Sequence, residues 1–317
     1  MKSLKEHIMI TEQENNLLEK LILYNQGKKY GQVVFLAGGA ASGKGFAVKN
    51  FMEKEKFKIR DVDEWKKAYQ KLSKIKDRYP EIQHLDLKLA NDVFKLHMFV
   101  SGKKIKEKTL DMMLGNAKNP DTLPNIIFDI TLKHVKNISS VLPALEAAGY
   151  KPENIHLTWV LTKYTIAVQQ NRDRERVVPD DILLQTHEGA AQTMHEFVRG
   201  NYPHGLDGSI RVVLNNKENT IPFLNPNVAA SGMSRGKDGK AVQTGPINKD
   251  TLFKANRLEF IKDGARIRNI LVKDFKYLTL KKAGKPFEPP EKVLKQVFSW
   301  IRENIPKTHV TSKLFKV

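Results

Sequence analysis

The stretch Gln32-Val33-Val34-Phe35-Leu36-Ala37-Gly38-Gly39-Ala40-Ala41-Ser42-Gly43-Lys44 decides the fold. Its first half, Gln32 to Leu36, is a short apolar run that ends in glycines, the signature of a buried strand. Its second half, Gly38 to Lys44, has the Gly-x4-Gly-Lys spacing of a phosphate-binding loop. Glycines let the backbone curl so that successive N–H groups point inward at phosphate oxygens. The helix expected over Gly43–Lys54 adds the positive end of its dipole, and Lys44 can reach the β and γ phosphates. A Gly-rich turn that only packs a strand against a helix would need the small residues but not the lysine. The loop residues Gly38, Gly39, Ala40, Ala41, Ser42, Gly43, Lys44 and Gly45 are therefore the expected nucleoside triphosphate contacts.

One position departs from the motif. The Ser or Thr that follows the lysine and ligates Mg²⁺ is replaced by Gly45, and the next residue is Phe46. Water and nearby carboxylates are expected to complete the ion's shell, since Mg²⁺ commonly keeps several waters.

Outward from the loop, apolar runs alternate with helical patterns. Strands are expected at Phe57–Arg60, Asn125–Asp129, Ile155–Leu161 and Ile210–Leu214. Helices are expected at Glu64–Lys76, Leu85–Val100, Val135–Ala148, Tyr164–Asn171 and Asp180–Val198. Pro143 predicts a kink in the third of these, or a start only near Val141. Gly149 closes it, and Pro179 precedes the last. The alternation predicts an α/β fold: a three-layer αβα arrangement around a central parallel sheet. Glu12–Leu23 reads as an amphipathic helix in an N-terminal segment, 1–30. The sheet domain spans 31–215. Residues 216–317 form a basic extension, with a mobile loop over Asn225–Gly245 and a terminal helix over Pro290–Asn304.

The chain has 317 residues, 40% of them hydrophobic, and no cysteine. Disulfide and thiolate chemistry are excluded, and the nine histidines show no zinc-ligand spacing. Scattered charges at the N-terminus and the lack of a long apolar stretch argue against a secretory signal or a membrane span. A cytoplasmic protein with no membrane partner is expected. The net charge is +19; from Asn201 onward, 22 Lys and Arg face 10 Asp and Glu. That basic tail favours an anionic partner such as nucleic acid.

Two acidic elements follow expected strands: Asp61 and Asp63 after the second, and Asp129 at the end of the third. Carboxylates there face the ligand crevice of a parallel sheet and can accept a hydroxyl proton or hold Mg²⁺. Either Asp61 or Asp63 could instead cap the Glu64 helix. Three arginines, Arg172, Arg174 and Arg176, alternate with acids just before Pro179. They read as mobile cations for a transferring phosphoryl group, or as a solvated charge run.

In this order the motifs resemble the P-loop kinases that include zeta toxins and the kinase domains of polynucleotide kinases. The likeness runs from about Gly31 to Asn215. It implies that Asp63 in Asp63-Glu64-Trp65-Lys66 is the general base toward an acceptor hydroxyl, with Lys66 where the family has an arginine. It implies a role for Asp129 in Asp129-Ile130-Thr131, with Asp61 and Asp129 near Mg²⁺. It places Arg174 or Arg176 on the phosphates and Arg172 beside the nucleotide. Many such proteins are encoded by tailed bacteriophages, which would make host cytoplasm the location. The implied activity is ATP-dependent phosphoryl transfer to a nucleic-acid or nucleotide-type hydroxyl, or to a UDP-sugar as in zeta toxins. Without the loop hydroxyl, the chain could instead be a module that binds nucleotide and transfers nothing. A nucleic-acid-binding protein with a vestigial loop is a third reading. Oligomeric state is not legible.

Overall fold

The computed structural model describes residues 30–51, 57–115, 122–174, 176–216, 233–235, 241–243, 260–262, 265–267 and 275–315. The expected helix Glu12–Leu23 lies outside these residues, as do the side chains of Phe46 and Asp63.

Five strands and the helices between them come first. β1 (Val33–Ala37) runs into α1 (Lys44–Phe51), and β2 (Lys58–Arg60) into α2 (Val62–Lys76). A helical insert follows: α3 (Pro80–Gln83), α4 (Ala90–Gly102) and α5 (Ile105–Leu114). Then come β3 (Ile126–Ile130), α6 (Lys136–Ser139), α7 (Leu142–Ala147) and β4 (Ile155–Leu161). The series closes with α8 (Tyr164–Arg172), α9 (Asp180–Val198) and β5 (Ile210–Asn215).

Further along lie β6 (Met233–Arg235), β7 (Ala241–Gln243), β8 (Phe260–Lys262), β9 (Ala265–Ile267), β10 (Phe275–Lys281) and α10 (Glu291–Asn304). The central sheet has the order β10-β5-β4-β1-β3-β2, and β1 pairs in parallel with both β3 and β4. β2 pairs in parallel with β3. The fold is thus α/β with a mostly parallel sheet flanked by helices.

All five residues of β1 are 0% exposed, so both faces of this strand are covered. That requires the unbroken apolar run seen in its sequence rather than alternation. On one face Val34, Leu36, Ile127 and Val160 pack with Ala47 and Val48 of α1. On the other, Phe35 stacks on Phe128 with ring centroids 5.1 Å apart. α10 packs against β4 and α9. From β1 the chain crosses to β2 at the sheet edge, returns to β3 beside β1, and then passes to β4 on the other side of β1. A parallel sheet opens its ligand crevice at such a switch point, at the strands' C-terminal ends.

Several elements differ from expectation. Leu85–Val100 is not one helix, because residues 84–89 form turns ahead of α4. The Asp86 carboxylate accepts the Lys88 N–H at 2.9 Å, and Asp92 accepts the Asp86 N–H at 3.1 Å. Such side-chain bonds offer the backbone an alternative to the helical ladder. Val135–Ala148 divides into α6 and α7, with Pro143 in the first turn of α7, where its missing N–H costs nothing. Within 225–245, which was expected to be a mobile loop, β6 and β7 pair as an antiparallel hairpin.

The segment expected as a basic extension divides in two. One compact unit runs to Val212 and resumes at Leu278; the other is Val213–Tyr277, where β8 and β9 form a second hairpin. The C-terminal residues resume the main unit because α10 carries an apolar face, burying Val297, Trp300 and Ile301.

Candidate functional site

The loop after β1 is built on left-handed backbone. Gly38, Ala41 and Gly43 have φ of 153°, 58° and 86°. A side chain at Gly38 would collide with the carbonyl of Val160 at 2.6 Å, so glycine is required there for close approach to β4 as well as for conformation. The Ser42 N–H donates to Gly39 O at 3.2 Å, and the Ala47 N–H to Gly43 O at 3.0 Å, which starts α1. The loop therefore ends at the first turn of a helix, where backbone N–H groups lack intrahelical acceptors and attract anions.

Lys44 is the first residue of α1 and folds back over the loop. Its Nζ donates to Gly38 O at 2.8 Å and Gly39 O at 3.3 Å, and lies 3.5 Å from Asp129 Oδ1. Asp129 is in register with Leu36 of β1. Pairing of Arg60 with Phe128 carries Asp61, the residue after β2, to the level of Asp129. Asp61 and Asp129 thus close neighbouring strands, which lie about 4.8 Å apart in any sheet. Among the described residues there is no group of three or more His, Asp or Glu that could hold a metal ion. A pair of carboxylates still suits Mg²⁺, which takes few protein ligands and keeps waters and phosphate oxygens. A Cβ built at Gly45 meets nothing within 4 Å, so the space that a hydroxyl would use is open.

α2 begins at Val62 rather than Glu64, so Asp61 immediately precedes the helix and Asp63 sits in its first turn. Lys66, the lysine of the Asp-x-x-Lys element, is buried. Arg60 is also buried: its Nε donates to Thr109 Oγ1 at 3.1 Å, and its guanidinium lies 5.3 Å from the Phe128 ring centroid. Burial pulls its pKa below the usual arginine range, against the opposing charge of Glu107.

The arginine segment is tied at its base by Asn171, whose amide donates to Val178 O at 2.7 Å and accepts from the Val178 N–H at 3.0 Å. Its middle docks on the turn before α4. The Val177 N–H donates to Leu87 O at 3.0 Å, and Lys88 Nζ to Arg174 O at 2.8 Å. Arg172 is exposed, Arg174 half-buried and Arg176 buried. The structure brings Lys44 together with Asp129, and Asp61 to the level of Asp129. The backbone bonds of the arginine segment run to Leu87 and Lys88.

Two residues that sequence reasoning missed touch the loop directly. Thr186 Oγ1 accepts the Ala40 N–H at 3.0 Å and donates to Leu183 O at 2.8 Å. His187 Nε2 lies 2.8 Å from Ala40 O, which can only accept, so Nε2 carries the proton. A Cβ at Gly39 would meet the His187 ring at 2.4 Å. Tyr164 packs edge-on to that ring, with centroids 5.5 Å apart. Burial pushes the imidazole pKa down to about 4, with Lys44 adding to the effect and the bond to Ala40 opposing it. Nothing in the pattern of α9 separates this histidine from an ordinary core residue.

No helix among the described residues is long and apolar enough to cross a membrane. No family model matches the chain, and no curated protein matches it in sequence. Similar solved structures include one from the PezAT chromosomal toxin–antitoxin system of Streptococcus pneumoniae. It shares 12% identity over 68% of this chain and 80% of that one, with a TM-score of 0.40. The complex of AvrRxo1-ORF1 with AvrRxo1-ORF2, with sulphate ions, is similar at 11% identity over 90% of this chain and 74% of that one, TM-score 0.35. The native form of that complex gives 10%, 96%, 81% and 0.35.

Proposed function

We propose that the chain is an ATP-dependent phosphotransferase of the P-loop kinase type, moving the γ-phosphoryl group to a hydroxyl of a nucleic-acid or nucleotide-type acceptor. The observation that carries this reading is the Lys44 ammonium, placed between the loop carbonyls and Asp129 at the sheet's switch point. The loop Gly38 to Gly45 holds the phosphates through backbone N–H groups other than those of Ala40 and Ser42, which donate to Thr186 and Gly39, and Lys44 turns from its own loop toward them. Asp129 and Asp61 are the carboxylates that would hold Mg²⁺ on this chain, and the ion would supply charge neutralisation on the phosphate oxygens. Asp63 accepts the acceptor hydroxyl's proton, with Asp61 as its rival two residues earlier. Lys66 and the lid residues Arg172, Arg174 and Arg176 supply positive charge around acceptor and phosphates.

A second reading, a module that binds nucleotide without transferring phosphate, is favoured by Gly45 and Phe46, which offer Mg²⁺ no hydroxyl. The test is γ-labelled ATP with Mg²⁺ and a panel of RNA, DNA, nucleosides and UDP-sugars. Label on a nucleic acid or nucleoside supports the first reading, and label on a UDP-sugar corrects its acceptor class. ATP binding with no transfer to any acceptor selects the module. Absence of ATP binding overturns both. Asp63→Asn and Asp61→Asn identify the proton acceptor, since losing a general base costs about 10²–10⁴-fold in turnover.

A further inference from the structure

We propose that Thr186 and His187 of α9 are positioning residues for nucleotide binding, fixing the phosphate loop from outside it by holding both polar groups of Ala40. This rests on the reading of Gly38–Lys44 as a nucleotide site.

The two contacts act on one residue from opposite directions. Thr186 takes the Ala40 N–H and His187 gives a proton to the Ala40 carbonyl, at 3.0 and 2.8 Å. Holding both groups fixes the rotation of the peptides on either side of Ala40. Those peptides lead into Ala41, whose left-handed φ of 58° is unfavourable for a residue with a Cβ. The loop sequence thus does not secure its own shape at this point; contacts from α9 hold it there. The hydroxyl of Thr186 is itself oriented by its bond to Leu183 O, so its acceptor side faces Ala40. The His187 ring also fills the space below Gly39, where any side chain would displace it.

The same helix sets the other half of the site. Gly189 lets α9 approach the segment after β3, where a Cβ would strike Lys133 O at 2.6 Å. Gln185 Oε1 accepts from Lys133 Nζ at 2.7 Å. Residues 185–189 of α9 therefore touch both the phosphate loop and the segment that follows Asp129. They fix the frame within which Lys44 and Asp129 meet. The arginine segment leads directly into the first turn of α9, six residues before Thr186.

The experiment uses the full chain and measures equilibrium binding of Mg·ATP, its KM and kcat in label transfer, and the melting temperature. The variants are His187→Leu, His187→Gln, Thr186→Val and Thr186→Ser. Losing one hydrogen bond from the loop should weaken ATP binding and raise its KM up to about tenfold in the Leu and Val variants. Glutamine keeps an N–H donor and serine keeps the hydroxyl, so both should return affinity to within about threefold of wild type. A packing role alone would lower the melting temperature without moving affinity well below it. Thr186→Val keeps the shape of the side chain and decides the question if His187→Leu does not fold. Wild-type binding matched within twofold by the folded Leu and Val variants overturns the inference and leaves the nucleotide site standing. A wild type that does not bind Mg·ATP overturns the nucleotide site, and the inference falls with it.

Discussion

Lys44 Nζ stands 3.5 Å from Asp129 Oδ1, at the C-terminal ends of two adjacent parallel strands. Both side chains are largely sheltered, with 12% and 24% of their surfaces exposed. The ammonium is held by the loop's own carbonyls and by the aspartate, poised where phosphate oxygens are expected. Lys44→Ala should therefore abolish measurable transfer, with a loss of at least about 10²–10³-fold, the scale for removing one donor to a developing charge. Its melting temperature should remain close to wild type, because the lysine lies at the start of a helix and packs no core. Asp129→Asn should lower turnover and raise the Mg²⁺ concentration needed. Turnover of Lys44→Ala equal to wild type, measured side by side, would remove the phosphate-loop reading.

Gly45→Ser should fold at least as well as wild type. The new side chain enters open space, and serine is a better helix former than glycine by a few tenths of a kcal/mol. The informative quantity is the Mg²⁺ concentration for half-maximal transfer. A fall within about threefold means that carboxylates, water and phosphate already satisfy the ion. A fall of tenfold or more means that Gly45 limits the reaction. A rise would show that the hydroxyl does not reach the ion from this position.

The parts of the site that were legible in the sequence are those written in local pattern. β1, the loop and α1 are contiguous, so their chemistry and their order are visible together. Asp129 was legible because it ends an apolar run. Thr186 and His187 were not, because they act on a backbone N–H and a backbone carbonyl. Ala40 offers no side-chain signal, and a histidine on a half-buried helix reads as core. The helix α2 starts two residues before the expected Glu64, because Asp61 and Asp63 both suit the position before a helix and the chain turns helical directly after Asp61. β10 was missed because Phe275–Lys281 follows a long stretch of weak pattern and joins the sheet at its edge, a non-local event.

Acid should destabilise the fold before carboxylates titrate. His156 is fully buried; its Nδ1 accepts the Ser209 N–H at 2.9 Å, so Nε2 carries the proton toward Gln32 Oε1, also at 2.9 Å. Burial pushes its pKa down to about 3, aided by the charges of Arg211 and Lys281. His187 is held near 4. An unfolded chain binds a proton at each histidine near pH 6.5, whereas the folded chain does not until far lower pH. The unfolded state thus binds more protons across this window, and stability falls as pH falls. Each histidine approaches a slope of about 1.4 kcal/mol per pH unit once well below 6.5. Urea unfolding between pH 7 and 5 should show this decline, and His156→Asn should show a smaller one. A flat profile over that range would contradict neutral burial of both rings.

The lid should depend on Asn171 more than on any of its arginines for its shape. Asn171 is 0% exposed, and its amide serves both the N–H and the carbonyl of Val178. Only an amide side chain carries a donor and an acceptor in that arrangement. Asn171→Asp keeps the acceptor for the Val178 N–H but sets a buried oxygen against the Val178 carbonyl. Asn171→Leu leaves both backbone groups without their partner, at a cost of about 1–3 kcal/mol for each buried group. The bond pair closes the loop that holds Arg172, Arg174 and Arg176, so releasing it should loosen that loop before it unfolds the sheet. Trypsin reads this directly, since it cleaves after arginine and needs local opening. Asn171→Leu should be nicked within residues 172–176 much faster than wild type at a temperature where both remain folded. ATP affinity should change little, because the phosphate loop is held separately through Ala40, while transfer falls with the lid's arginines out of place. Equal nicking rates in the two proteins would mean that docking on Leu87 and Lys88 holds the lid and that the amide is dispensable. Faster nicking with transfer unchanged would separate the arginines from the chemistry.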